Sequence, residues 1–163
     1  MTPSQKCYEF IQEFEGYSED AYLDSVNIPT IGWGTIRYPN GIKVKMGDKC
    51  TEQEAQQYLE HEVNIKSKGV EVAVKEIPLN QGQYDALVSF SYNVGIGGFQ
   101  TSTLLKKLLK NPHDKTIYEY TRDDNGNPIV DSCEFVKWCR GKGKVLSGLL
   151  RRRAAEADMY AGK

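Results

Sequence analysis

Residues 14–35 read FEGYSEDAYLDSVNIPTIGWGT, and within them the spacing of apolar residues changes from that of a helix to that of short strands. Upstream, one apolar stripe recurs at helical spacing: Cys7, Phe10, Ile11 and Phe14. Gly16 supplies a stop, so the sequence predicts a first helix over about residues 3–15, with Thr2 as N-cap, Pro3 in the first position and Glu15 last. Past Gly16, short apolar segments alternate with turn-forming residues, which is typical of strands.

The turn signal Pro39-Asn40-Gly41 lies between two apolar–basic segments and predicts a small antiparallel sheet of two or three short strands. Capping boxes beginning at Thr51 and Asn80 predict helices over about 52–67 and from 81 to Gly95. Thr101 or Ser102 is expected to cap a helix over 104–109, and a last helix is expected over 148–160. Residues 70–77 fit either a short helix or an extended segment.

One helix, a small sheet and then only helices indicate an α+β fold. The 163 residues suit a single domain, 1–163, with a β-containing lobe at about 16–67 and a helical lobe formed by 1–15 and 68–163.

Composition narrows the possible classes of protein. With 39% hydrophobic and 26% charged residues the chain is globular rather than disordered, and a net charge of −1 gives no reason to expect nucleic acid as a partner. No apolar run is long enough for stable membrane insertion, and the first residues resemble no secretory signal, so we expect synthesis in a cytoplasm. The four cysteines are scattered, and we expect buried, reduced thiols rather than disulfides or a metal site.

Two carboxylic acids stand out as candidates for chemistry. Glu15 ends a helix, where the partial negative charge of the helix disfavours an ionised carboxylate, whereas Asp24 lies in a loop rich in hydrogen-bond donors. Two carboxyl groups held in different protonation states are the apparatus of glycoside hydrolysis. An acid at a helix end and another in a turn are also common on solvated surfaces, and a cation close to Glu15 would oppose the effect of the helix.

Three groups of segments, in order along the chain, resemble the phage-type lysozymes of glycoside hydrolase family 24. They are Phe14–Gly16 with Ala21–Asp24 and Pro29–Thr35, then Leu79–Phe90 with Asn93–Phe99, and finally Gly143–Leu146 with Gly148–Arg153. The resemblance covers nearly the whole chain and implies a two-lobed lysozyme-like fold. It also implies an endolysin that hydrolyses the bond between N-acetylmuramic acid and N-acetylglucosamine in bacterial peptidoglycan.

Carried over by position, the resemblance makes Glu15 the general acid, Asp24 the second carboxylate and Thr30 the residue that holds a water or the sugar. It implies no cofactor, a monomer, peptidoglycan as partner, and accumulation in the host cytoplasm until a membrane lesion releases the enzyme to the wall. A lytic transglycosylase forming 1,6-anhydro ends and a non-catalytic wall-binding module are the alternatives.

Four further residues are candidates for substrate binding. Tyr22 and Trp33 flank the signature and can line a cleft, although core packing is as good an interpretation. Asn93 precedes a glycine-rich turn, and Ser102 is either a sugar contact or a helix cap.

Two features depart from the family pattern. Thr35 stands where some members have histidine, and residues 111–134 form a longer connection than usual. Within that connection, oxygen-bearing side chains follow the spacing of a calcium-binding loop, but Pro128 replaces the required glycine, so a β-hairpin turning at Asn125-Gly126 is the preferred interpretation.

The charges are also unevenly distributed. Seven basic and no acidic residues lie between Lys137 and Arg153, and six acidic and no basic residues lie between Glu9 and Asp24. We expect a bipolar molecule, whose basic region either attracts an anionic wall or membrane surface or is a solvated helix face.

Overall fold

The structure, a computed structural model, describes residues 1–163. Its helices are α1 (Gln5–Glu15), α2 (Glu52–Val74), α3 (Gln81–Val94), α4 (Ile96–Thr101), α5 (Thr103–Lys110) and α6 (Ser147–Ala161). Its strands are β1 (Ser18–Leu23), β2 (Pro29–Gly32), β3 (Arg140–Gly141) and β4 (Lys144–Val145). The α+β class predicted from the sequence is confirmed. None of the six helices combines the length and apolar content that crossing a membrane requires.

The chain divides into two compact units, each described by itself below. The sheet unit comprises Pro3–Ile65, and the helical unit comprises Met1–Thr2 with Lys66–Lys163. Helix α1 belongs to the sheet unit, whereas the sequence grouped residues 1–15 with the later helices. The organisation of residues 1–163 as one catalytic domain stays a prediction.

Strands β1 and β2 form the predicted antiparallel sheet of the sheet unit. Tyr22 pairs with Thr30 and Leu23 with Pro29, and the register is irregular between Ser18 and Tyr22. Residues paired across antiparallel strands point to the same face. The register therefore places Tyr22 and Thr30 side by side.

Residues 36–49 continue from this sheet and return to its other edge. Arg37 pairs with Lys43 across the predicted Pro39-Asn40-Gly41 turn, where the Tyr38 N–H donates to Ile42 O at 2.9 Å. The chain then reaches β1, because Asp20 forms an antiparallel bridge with Lys49. Strand β1 therefore has β2 on one side and the end of this segment on the other.

The first helix begins later than the sequence predicted. Its N-cap is Ser4, in an extended conformation, whose side chain accepts from the Cys7 N–H, so the assignment of Thr2 as cap was wrong. Inside the sheet unit, α1 and α2 bury an apolar core against the sheet, consisting of Cys7, Ile11, Ile31, Trp33, Val44, Cys50, Ala55, Leu59 and Val63.

Helix α2 starts with the predicted capping box. The Glu54 N–H donates to Thr51 Oγ1 at 3.1 Å, and the Thr51 N–H donates to the Glu54 carboxylate at 3.0 Å. The helix runs seven residues past the predicted end, because Val70 and Val74 are buried and extend its apolar face. The sequence allowed either a short helix or an extended segment over residues 70–77, and the structure shows helix as far as Val74.

In the helical unit α3 and α6 pack together over the core. The predicted Asn80 capping box is present, and the helix ends at Gly95 as expected. Around Phe90 three aromatic rings pack edge-on: Phe99, Phe135 and Trp138. Helix α4 was missed from sequence, because its IGGFQT segment carries two glycines that read as a turn.

The long connection over residues 111–134 contains the predicted hairpin. Arg122 pairs with Pro128, and the Asp123 N–H donates to Asn127 O at 2.8 Å. Two carboxylates of the calcium-like pattern form salt bridges instead, Asp131 with Arg140 at 2.9 Å and Glu134 with Lys107. The structure contains no group of three or more His, Cys, Asp or Glu side chains arranged to hold a metal ion.

Candidate active site

Glu15 is placed by the end of α1. The Gly16 N–H donates to Gln12 O at 3.0 Å, and Gly16 has φ +67°, a left-handed value that turns the chain away from the helix axis. The Glu15 carboxyl is thereby left half-buried at the helix terminus.

A tight loop after β2 packs against this carboxyl. Ile31 and Thr35 exchange backbone hydrogen bonds of 2.8 and 2.9 Å, which closes the loop Gly32-Trp33-Gly34 between them. A Cβ added to Gly34, whose φ is +85°, would lie 2.7 Å from Glu15 Oε2 and 3.1 Å from its carboxyl carbon. Any larger residue here would force the Glu15 carboxyl to move, so Gly34 leaves room for the acid in its present position.

Asp24 is held by its own loop between β1 and β2. Its Oδ1 accepts from the N–H groups of Val26 at 2.9 Å and Ile28 at 2.8 Å, and its own N–H donates to Ile28 O at 3.0 Å. Asn27 adopts φ +62°, which lets the loop close. The carboxylate is therefore fixed through one oxygen, while Oδ2 accepts no hydrogen bond from the protein.

Tyr22 lies within electrostatic range of both carboxyl groups. Burial raises the pKa of its phenol, and the negative charges of Glu15 and Asp24 raise it further. The phenol therefore stays protonated and is available as a hydrogen-bond donor. Its side chain is 37% exposed, so the ring also presents surface to a ligand.

Thr30 completes the group from the adjacent strand. It is almost fully buried, and its hydroxyl donates to Ile28 O at 2.9 Å. Because the hydroxyl proton is used, the capacity left to this group is that of its oxygen as an acceptor. Such an acceptor suits the orientation of a water molecule.

The other predicted substrate-binding residues have different surroundings. Trp33 is only 8% exposed and packs on Tyr17 at a ring separation of 5.1 Å, so core packing is what the structure shows for most of its surface. In the helical unit, Asn93 is exposed and accepts from Arg153 at 2.9 Å. Ser102 is the N-cap of α5, accepting from the Leu105 N–H at 3.0 Å, which was the alternative role considered for it.

The sheet unit contains Glu15, Asp24, Tyr22 and Thr30, and strand pairing sets Tyr22 beside Thr30. A half-buried carboxyl at a helix terminus, a hydrogen-bonded carboxylate and a fixed hydroxyl can carry out general acid–base chemistry on a glycosidic bond. Sequence reasoning missed the positioning role of Gly34, although the glycine pair in Gly32-Trp33-Gly34 was its signal. This fold and this pair of carboxyl groups define a lysozyme-like protein.

The chain belongs to the phage lysozyme family, since the family described as "Phage lysozyme" matches residues 12–156. It is 39% identical over 147 residues to the endolysin of Salmonella phage P22, covering 90% of this chain and 88% of that protein. It is 34% identical over 161 residues to the endolysin of Bacillus phage PZA, covering 98% of this chain and 55% of that protein. The chain therefore spans about half the length of this Bacillus phage relative.

Solved structures agree with the family assignment. The chain is similar to an endolysin from Escherichia coli O157:H7 phage FAHEc1, with a TM-score of 0.78 and 38% identity over 98% of this chain and 93% of that one. The lysozyme-like α+β fold expected from the sequence is thereby supported.

Proposed function

We propose that this protein is an endolysin that hydrolyses the bond between N-acetylmuramic acid and N-acetylglucosamine in bacterial peptidoglycan. The observation that carries the proposal is the geometry of the two acids in the sheet unit: the Glu15 carboxyl packs against Gly34 after β2, and Asp24 is held by backbone N–H groups in the loop that leads into β2. Relatives named endolysins, similar over nearly the whole of this chain, support the same activity.

In the proposed mechanism Glu15 donates its proton to the glycosidic oxygen as the bond to the anomeric carbon breaks. The bonding electrons leave with that oxygen, and positive charge develops on the sugar ring. Asp24 stabilises this charge, or takes a proton from the water that attacks the anomeric carbon. The Thr30 oxygen orients that water, and Tyr22 donates to the sugar or to one of the carboxylates.

Each of these groups is held in place before substrate arrives. Gly34 limits the positions open to the Glu15 carboxyl, and two backbone N–H groups fix Asp24. Such preorganisation matters because a carboxyl displaced by about 1 Å can cost about 100-fold in rate.

The proposal is tested by Glu15→Gln, with Glu13→Gln on the exposed side of α1 as the matched control. Since general acid catalysis contributes roughly 100-fold to 10,000-fold, Glu15→Gln should abolish measurable clearing of permeabilised cells. Its thermal midpoint should stay nearly unchanged, and Glu13→Gln should lyse like the parent. Wild-type lysis by Glu15→Gln would refute the assignment of the acid.

Product analysis distinguishes hydrolysis from the transglycosylase alternative. Hydrolysis adds one water across the bond, so the released fragments should carry reducing N-acetylmuramic acid ends. Mass spectra dominated by 1,6-anhydro ends would contradict the proposed reaction, and binding to wall sacculi without any release would favour a wall-binding module.

We place its site of action at the cell wall during host lysis, with peptidoglycan as the partner. Accumulation in the host cytoplasm and release through a membrane lesion belong to the same proposal. Fractionation of expressing cells before and after permeabilisation of the inner membrane tests this, because activity should reach the wall only afterwards. Sedimentation tests the expected monomer.

A further inference from the structure

We propose that the sheet unit carries a second saccharide-binding site, in an open pocket with a volume of about 520 Å³. We call it the tyrosine pocket, and the lining residues that matter here are Tyr38, Asn40, Asp48, Lys49, Glu54 and Tyr58. None of them belongs to the catalytic group. The volume lies within the roughly 300–1,000 Å³ typical of small-molecule sites.

The aromatic wall of the pocket is formed by two tyrosines in edge contact. The rings of Tyr38 and Tyr58 are 5.1 Å apart and inclined at 63°, so their surfaces meet at an angle. Tyrosine rings offer an apolar face together with a polar tip, which suits a ligand that alternates C–H and O–H groups. The Tyr58 hydroxyl has no hydrogen-bond partner in the protein and is available to such a ligand.

The polar wall of the pocket is rigid. Asp48 Oδ2 accepts from the Tyr38 hydroxyl at 2.7 Å and from the Lys45 N–H at 2.9 Å. These two hydrogen bonds, the one from Lys45 first, hold the pKa of Asp48 below its usual range, so the group is ionised at neutral pH. Its Oδ1 takes no protein donor and is free to accept from a ligand hydroxyl.

Donors lie next to these acceptors. Asn40 uses its side-chain oxygen on the Ile42 N–H at 3.0 Å, which leaves the amide N–H groups unused. The Lys49 ammonium forms an exposed ion pair with Asp20 at 3.0 Å and has further N–H groups to donate. A cationic ligand would be repelled by Lys49, and an anionic ligand would be repelled by Asp48 and Glu54. A neutral sugar hydroxyl can donate to the carboxylates and accept from the lysine.

The position of the pocket connects it with the catalytic group. The Ala21 N–H donates to Asp48 O at 3.0 Å, so Asp48 and Lys49 border the same strand, β1, that carries Tyr22. Strand geometry sets the backbone of Lys49 on the order of 8 Å from that of Tyr22. A glycan polymer is long enough to contact both the tyrosine pocket and the catalytic group. The choice of a saccharide as ligand rests on the proposed function.

Binding of the N-acetylglucosamine tetrasaccharide to the Glu15→Gln protein tests the inference without cleavage. Amide resonances of Asn40, Lys49 and Tyr58 should shift during the titration. Tyr58→Phe keeps the ring and removes the hydroxyl, and Lys49→Ala removes an exposed amine. Each should weaken binding at these resonances about threefold to tenfold, the effect of one lost hydrogen bond. Lys43→Ala, exposed on the same segment but outside the pocket, is the matched control and should bind like the parent.

Several results would overturn the proposal. They are an absence of shifts at the three pocket amides, equal affinity in both pocket variants and the control, or shifts produced by an isolated wall stem peptide and not by the saccharide. The outcome is separable from that of the proposed function. If the unmodified protein lyses walls but no saccharide binds in the pocket, only this inference is refuted. If saccharide binds in the pocket but the unmodified protein does not lyse walls, only the proposed function is refuted.

Discussion

Replacing Gly34 by alanine should disable the proposed enzyme while leaving it folded. The new Cβ would lie 2.7 Å from Glu15 Oε2, whereas ordinary contacts begin at 3.4 Å, so the carboxyl must retreat by about 0.7 Å. A displacement of this size should cost up to about 100-fold in turnover. The backbone contributes separately, because alanine at φ +85° costs roughly 1–2 kcal/mol, or roughly 2–8 °C in the thermal midpoint.

A matched control separates these two effects. Gly126 has φ +81° in the hairpin turn of the helical unit, and nothing lies within 4 Å of the position its Cβ would take. Gly126→Ala should therefore lose similar stability and keep its activity. Initial rates of turbidity loss, corrected for the folded fraction from thermal melts, compare the two variants. If Gly34→Ala lyses within twofold of Gly126→Ala, the positioning role of Gly34 is refuted.

Three further outcomes are expected. Ser102→Ala should lower the free energy of unfolding by about 1 kcal/mol through loss of the α5 N-cap, and reduced lysis per folded molecule would instead support a substrate contact. Burial opposes ionisation of Glu134, but hydrogen bonds from Lys107 and Lys137 outweigh it and hold its pKa below the ordinary value. The stabilisation from ionised Glu134 is complete above the pKa that this group has in the unfolded chain, and it is lost as the pH falls through its pKa in the folded protein. On acidification from neutral pH, the thermal midpoint should therefore fall more for the parent than for Glu134→Gln. Millimolar calcium should not raise the thermal midpoint, since Asp123 already binds backbone N–H groups of its own turn, and a rise would restore the calcium alternative.

Local chemistry made much of the fold predictable. Thr51 and Asn80 carry capping boxes, in which side chain and backbone satisfy each other within four residues, so the starts of α2 and α3 follow from the sequence alone. The Pro39-Asn40-Gly41 turn is equally local. The start of α1 was misplaced because Thr2 and Ser4 are both good caps.

Features that depend on distant neighbours were not predictable in the same way. Residues 68–74 stay helical because Val70 and Val74 are buried against distant neighbours. Gly69 lets Ile96 approach the same helix, since an added Cβ would lie 2.5 Å from the Ile96 side chain. The short β3–β4 pair was missed because two-residue strands carry no periodic pattern. For the candidate site, the sequence supplied Glu15 and Asp24, but the close approach of Gly34 to the acid emerges only in three dimensions.

The cysteines give this molecule its own reporters of partial opening. All four are buried and none forms a disulfide, with Cys7 and Cys50 in the sheet unit and Cys133 and Cys139 in the helical unit. A buried thiol reacts with an alkylating reagent only when its surroundings open, so the modification rate measures the free energy of that opening. Mass-resolved alkylation therefore shows whether the two units of the protein loosen together or one before the other, without introducing any label.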